Sequence, residues 1–391
     1  MTNYEENTGR PTVRETVECE SNTIYDGSSD PLGDTFEGIE TAFIVKSREG
    51  NPAPSNITIK NYKFVNVRFG CLGSAQSTYV GVNSTNIAIQ NCTHYIDEGI
   101  QWVERSDGKT APLDGGILIF GNGKIDKVRV QNNSCTGLAR VALTGDHCNG
   151  WTVEGNSSSG AGDTSIYFTG WGHTAKKNTI VNSAKDGIKT RVNEEYNPLL
   201  PKSGGHTITE NVVLDFAQPV GFGGGLDWQN PPGWLHQPRD AGAAISIDGK
   251  YRGREASLPH PDELAEMGII TVTNNYVKVT KRGMTREDYP NPPTPMVCIN
   301  YGSKKIVSRS NLIIALKDSD FFHYKIETND PSSSADDLIN ENQRCLLEVV
   351  SPNINPGYNP EEAPFAGEPK EPVKIKKSSE TYYEEYLVIK T

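Results

Sequence analysis

Ile57-Thr58-Ile59-Lys60-Asn61, Ile87-Ala88-Ile89-Gln90-Asn91 and Val128-Arg129-Val130-Gln131-Asn132 are three copies of one phrase, apolar–x–apolar–x–Asn. Looser copies follow at Trp151-Thr152-Val153-Glu154-Gly155-Asn156, Thr179-Ile180-Val181-Asn182 and Thr207-Ile208-Thr209-Glu210-Asn211, and a last clear one at Ile270-Thr271-Val272-Thr273-Asn274-Asn275. A period of two marks strands with one buried face. The closing Asn tolerates a left-handed turn and can hydrogen-bond its own backbone. A second phrase falls between these copies: Ile117-Leu118-Ile119, Val141-Ala142-Leu143, Ile166-Tyr167-Phe168, Ile188-Lys189-Thr190 and Ile245-Ser246-Ile247. Its first four copies start 24, 25 and 22 residues apart. Two short strands and their turns in each two dozen residues describe a solenoid whose coils pair with their neighbours. A sandwich would need a hairpin signal every 8–12 residues or so, and few Asn-Gly or Asp-Gly pairs separate the strands. The expected fold is all-β: a single-stranded right-handed parallel β-helix with long loop insertions.

The opening coils carry a family likeness. Ser21-Asn22-Thr23-Ile24-Tyr25-Asp26-Gly27, Phe43-Ile44-Val45-Lys46 and Ser55-Asn56-Ile57-Thr58-Ile59-Lys60-Asn61 resemble the start of the pectate-lyase-like superfamily, and the likeness runs from about Val17 to Ile314. That resemblance implies the coiled fold and a polysaccharide partner. It leaves the reaction open, because lyases, glycosidases, epimerases and viral tailspikes share the coil. It also implies an extracellular or virion-associated setting, with a homotrimer if the source is viral. No helical capping pattern precedes Val17, in keeping with an absent upstream segment.

Composition sets outer limits. The chain has 391 residues, 22 % of them charged, with a formal net charge of −11. An acidic surface repels phosphate backbones, so nucleic acid is not an expected partner. No apolar run approaches the roughly 18 residues of a membrane span, and Met1–Arg10 does not read as a signal peptide. The seven cysteines form no C-x-x-C pair, so small buried core thiols are expected. P-loop, G-x-G-x-x-G, G-x-S-x-G and H-E-x-x-H motifs are absent. The coil is expected over residues 1–320. The repeat then fades, and residues 321–391 read as a C-terminal capping segment whose Pro352–Pro372 stretch is proline-rich and acidic. Asn193–Gly205, Phe216–Gly242 and Lys250–Gly268 interrupt the coil as long loops, the kind that usually carries function.

Stacking turns sequence into columns about 4.8 Å apart. With Ile117, Val141, Ile166, Ile188 and Ile245 aligned inward, Leu118, Ala142, Tyr167, Lys189 and Ser246 form one outward column. Phe120, Thr144, Thr169, Arg191 and Asp248 form the next, with Arg140 beside them. Arg140, Tyr167, Lys189, Arg191 and Asp248 are therefore expected in one patch. This patch fits β-elimination on a uronate: Lys189 as the base that removes the α-proton, with its pKa depressed by the like charges of Arg140 and Arg191. Arg191 and Arg140 would neutralise the carboxylate and enolate, and Tyr167 would protonate the leaving oxygen. The family resemblance implies a Lys or Arg base in the same way. It also implies calcium held by clustered acidic residues, but no close acidic pair shares a strand, and neither a metal nor a cofactor is expected.

Paired carboxylates compete with that reading. Asp146, Asp163, Asp186 and Asp248, with Asp227 and Asp240 on the largest loop, could form a glycosidase pair of the tailspike kind. Asp146 and Asp163 could equally be turn residues beside Gly. Trp171, His173, Trp228, Trp234, His236 and Arg239 have the chemistry of sugar-stacking and hydrogen-bonding groups. A third reading is a non-catalytic glycan- or receptor-binding coil. Asn56, Asn83, Asn91, Asn132 and Asn156 match the N-glycosylation pattern but coincide mostly with the repeat, which points to an asparagine stack instead.

Overall fold

The computed structural model describes residues 14–46, 54–74, 84–97, 116–122, 125–145, 148–191, 203–216, 243–248 and 268–278, together with further strands. Those strands lie at 102–104 and 110–112 and at intervals from 296 to 384. Three ten-stranded sheets, all parallel, make up the body. Sheet A runs from Val17–Glu18 through Thr41–Lys46, Phe69–Ser74, Ile117–Asn122, Arg140–Thr144, Ile166–Thr169, Ile188–Arg191, Ala243–Asp248 and Met296–Gly302 to Phe321–Ile326. Sheet B runs from Ile24–Asp26 to Leu338–Glu341, and sheet C from Thr35–Glu37 to Arg344–Glu348. Each coil contributes one strand to A, then B, then C, so the fold is the expected right-handed parallel β-helix. All three sheets continue past residue 320. Phe321–Ile326, Leu338–Glu341 and Arg344–Glu348 pair with the strands of the preceding coil.

The corner between sheets B and C explains the repeating Asn. Asn61, Asn91, Asn132 and Asn274 sit at φ of 61°, 54°, 56° and 56°, the left-handed conformation that turns the chain and that Asn tolerates better than most residues. The residue that follows points inward. Asn133, Asn156, Asn178, Asn211, Asn275 and Asn311 form a buried ladder in which each Oδ1 accepts the backbone N–H of the preceding coil's asparagine, or of Cys92 at its start, at 2.9–3.1 Å. Each Nδ2 donates to a carbonyl such as Val153 O, 2.9 Å from Asn178. Parallel coils leave corner amides without a ladder partner, and these carboxamides satisfy them. Asn156 is therefore a core residue and no glycan acceptor.

Apolar side chains fill the tube. Phe36, Phe43, Tyr62 and Phe64 form one aromatic cluster, with Phe43 edge-on to Tyr62 at 5.0 Å between ring centroids. Cys19, Cys71, Cys92, Cys135 and Cys148 are free, buried thiols. Burial raises Cys19 to about 12 and Cys92 to about 11. Among the described residues no helix is long and apolar enough to cross a membrane.

Candidate active site

The pairing register of sheet A fixes which side chains meet. Tyr167 pairs with Lys189 and Lys189 with Ser246, while Thr169 pairs with Arg191 and Arg191 with Asp248, as expected. Toward the N-terminus the register differs. Ile119, not Leu118, aligns with Ala142, and Ala142, not Val141, aligns with Ile166. Leu143 and Phe120 therefore head the Tyr167–Lys189 column in place of Ala142 and Leu118. A one-residue slip exchanges the two faces of a strand. Thr144 and Thr169, expected to face outward, are buried.

Chemistry gathers at the corner where the chain passes from sheet C to sheet A. Asp163 and Thr164 lie in the turn before Ile166–Thr169, and Asp186 lies in the equivalent turn one coil later, before Ile188–Arg191. Arg140 opens its own strand and reaches Asp163, with Nη1 3.3 Å from Oδ2. Asp163 Oδ1 accepts the Thr164 N–H at 2.7 Å. Thr164 Oγ1 is 3.3 Å from Asp163 Oδ1 and 3.3 Å from Asp186 Oδ2. Asp186 Oδ1 accepts the Ala243 N–H at 2.8 Å, and its Oδ2 is 3.8 Å from Lys189 Nζ. Lys189 Nζ in turn lies 6.0 Å from the centre of the Tyr167 ring. The network therefore runs Arg140–Asp163–Thr164–Asp186–Lys189–Tyr167 across three successive coils.

These groups are largely withdrawn from water. The Arg140, Lys189 and Asp186 side chains are 7 %, 7 % and 4 % exposed, whereas Asp163 keeps 23 %. Withdrawing a charge from water costs several kcal/mol unless a partner of opposite sign repays it. Each cation has a carboxyl oxygen within reach, Arg140 at Asp163 and Lys189 at Asp186. Lys189, expected among like charges, has a carboxylate 3.8 Å away, and Arg140 reaches Asp163. Residues assigned to two competing chemistries belong to one connected network.

Other expected residues go elsewhere. His173 is fully buried and faces the core, not a sugar. Its Nδ1 accepts the Trp151 N–H at 3.1 Å, its Nε2 lies 2.8 Å from Thr169 O, and its ring stacks on His206 at 5.1 Å. Burial lowers its pKa to about 4 and holds it neutral. Trp171 is partly exposed at the corner between sheets A and B, against Gly205 and Gly268. A Cβ on Gly268 would fall 2.7 Å from Trp171 Cη2. Asp248 holds the strand position between Arg191 and Gly302 in sheet A. Asp146, Trp228, Trp234, His236, Arg239, Asp227 and Asp240 lie outside the described residues, as does the Pro261–Met267 run. Among the described residues no group of three or more His, Cys, Asp or Glu is placed to hold a metal ion. Thr164 escaped the sequence reading. A threonine in a turn carries no signal until the fold sets two carboxylates around it.

No family model matches the chain, and no curated protein matches it. A solved structure that it resembles is the crystal structure of DFA-IIIase from Arthrobacter chlorophenolicus A6 without its lid, at 13 % identity and a TM-score of 0.29, covering 78 % of this chain and 71 % of that one. With a TM-score that low, no residue or activity passes from that protein to this chain.

Proposed function

We propose that the chain is a carbohydrate-active enzyme that cleaves a polysaccharide on the sheet A face, with Asp163 and Asp186 as its carboxyl pair. One observation carries this reading: both carboxylates contact the same Thr164 hydroxyl at 3.3 Å. That shared hydroxyl brackets the pair and holds the two carboxyl groups close together. One ionised and one protonated carboxyl is what glycoside cleavage requires. The two oxygens are separated by no more than twice 3.3 Å. That bound favours the retaining spacing of about 5–5.5 Å over the inverting one of about 6.5–9.5 Å.

Asp163, the more exposed of the two, would attack the anomeric carbon as the carboxylate while Asp186 passes its proton to the departing glycosidic oxygen. Water would then break the glycosyl–enzyme bond, with Asp186 taking back a proton. Arg140 and the Thr164 N–H orient Asp163, and Lys189 and the Ala243 N–H orient Asp186. Tyr167 offers an aromatic face beside them. β-Elimination with Lys189 as base is the competing chemistry, and the Lys189–Asp186 ion pair weighs against a free amine there.

The test is incubation with a panel of neutral and uronate-containing glycans. New reducing ends without an ultraviolet-absorbing unsaturated sugar are expected, and Asp163→Asn or Asp186→Asn should each lower turnover about 10³-fold or more. An unsaturated product lost in Lys189→Ala would replace hydrolysis with elimination. Full activity in both Asp variants would remove the assignment.

A further inference from the structure

A second feature lies at the opposite edge of sheet A, where the chain turns into sheet B, and on earlier coils. Asn22, Asn56 and Asn86 occupy the same corner position on three successive coils, all exposed and all left-handed, at φ of 61°, 60° and 61°. Their carboxamides are zipped together: Asn56 Nδ2 donates to Asn22 Oδ1 at 2.9 Å, and Asn86 Nδ2 to Asn56 Oδ1 at 3.1 Å. The next coils continue the column with Lys127 and Gly150 at φ of 54° and 66°. Beside the column, Ile24, Thr58, Arg129 and Thr152 stand in register on the outer face of sheet B. Together these residues border an open groove of about 680 Å³ that crosses five coils.

Charge and exposure set this groove apart. Other cations are paired: the exposed Lys63 with Asp34 at 3.0 Å, and the half-buried Lys60 and Lys176 with Asp26 at 2.9 Å and Glu154 at 3.0 Å. Lys127 and Arg129 are exposed, yet no carboxylate pairs with either among the described residues. On a chain of net charge −11, two adjacent cations without counter-ions leave a local site for an anion. Ile24, 68 % exposed, adds an apolar surface to the groove floor.

We infer that this groove binds an acidic oligosaccharide laid along the solenoid axis. Its carboxylates would meet the guanidinium of Arg129 and the ammonium of Lys127, its hydroxyls would exchange hydrogen bonds with the asparagine amides, and a C–H face would cover Ile24. The inference rests on the carbohydrate reading above and adds a holding site apart from the Asp163–Asp186 corner.

The experiment is titration calorimetry of the full chain with a short oligogalacturonate, with a neutral cello-oligosaccharide alongside. Binding of the acidic probe is expected, weakened tenfold or more in the double variant Lys127→Glu/Arg129→Glu at an unchanged thermal midpoint. Asn56→Gly, which keeps the left-handed backbone and removes the amide, should weaken it less. Asp163→Asn and Asp186→Asn should leave it intact. Equal affinity of wild type and double variant, equal binding of the neutral probe, or no binding at millimolar probe would each overturn the inference. Binding lost only in the Asp variants would move the acidic ligand to the sheet A corner. A chain that cleaves no glycan yet shows the Arg129-dependent binding would lose the proposed hydrolysis and keep the groove.

Discussion

Asp163 and Asp186, one coil apart, meet at a single hydroxyl: Thr164 Oγ1 stands 3.3 Å from a carboxylate oxygen of each. Neither carboxylate is placed by its neighbours in sequence alone. Strand pairing sets the two turns one above the other, and Thr164 fills the space between them.

Thr164→Val removes that hydroxyl and keeps the backbone N–H that holds Asp163. Turnover is expected to fall about tenfold or more, with the pH–rate profile shifted because neither carboxyl keeps its hydrogen bond from the hydroxyl. Thr164→Ser should restore both. A pH–rate series on the three proteins checks this, and an unmoved profile in the valine variant would show that the hydroxyl only packs.

Arg140 is a buried cation whose partner is the partly exposed Asp163. Arg140→Met should destabilise the fold by about 1–3 kcal/mol, less than a fully buried pair would lose because water still reaches Asp163. Denaturant unfolding of the variant and of Arg140→Met/Asp163→Asn measures it. The double variant should be the more stable of the two.

The asparagine ladder carries the B–C corner. Asn178→Ala deprives the Asn156 N–H and Nδ2 of their shared acceptor and leaves Val153 O without its donor. A loss of about 2–4 kcal/mol is expected from buried groups left unpaired. Asn178→Asp, which retains the acceptor, should cost less in neutral solution if its carboxyl remains protonated in the core. A loss below about 0.5 kcal/mol for the alanine variant would contradict the ladder's role.

Stability should fall as acid is added. His94 and His173 are buried, and desolvation lowers each from an ordinary 6.5 to about 4. Between pH 6.5 and 4 the unfolded chain therefore binds protons that the folded chain refuses. Stability is full above 6.5 and declines as pH drops through that window. His94→Phe should flatten the decline, read by urea midpoints from pH 7.5 to 4.5. An equally steep curve would assign the acid sensitivity elsewhere.

Cys19, Cys71, Cys92, Cys135 and Cys148 should stay unlabelled by iodoacetamide in the native protein, because all five are buried and burial raises the thiol pKa of the first four. Peptide mass spectrometry after labelling with and without guanidinium reads each position separately.

The sequence alone determined the solenoid. Alternation of period two, a closing Asn and a spacing near two dozen residues are local properties, and each survives in the structure as a strand, a left-handed corner and a coil. The Tyr167–Lys189 pairing was legible from the repeat length, and Arg191–Asp248, across two long loops, from the returning phrases that begin at Ile188 and Ile245. What the sequence could not show is where the repeat length varies. Ala142 rather than Val141 faces Ile166, and a shift of one residue exchanges inside for outside. Nor could it show charge neutralisation: Arg140 with Asp163, and Lys189 with Asp186, are choices made by turn geometry across coils. His173 reads as a polar group beside a tryptophan, yet the fold provides two backbone partners and a stacking ring that make the core its better solvent. Periodicity is written residue by residue, whereas burial and pairing depend on which coil lies above, and only the closed tube decides that.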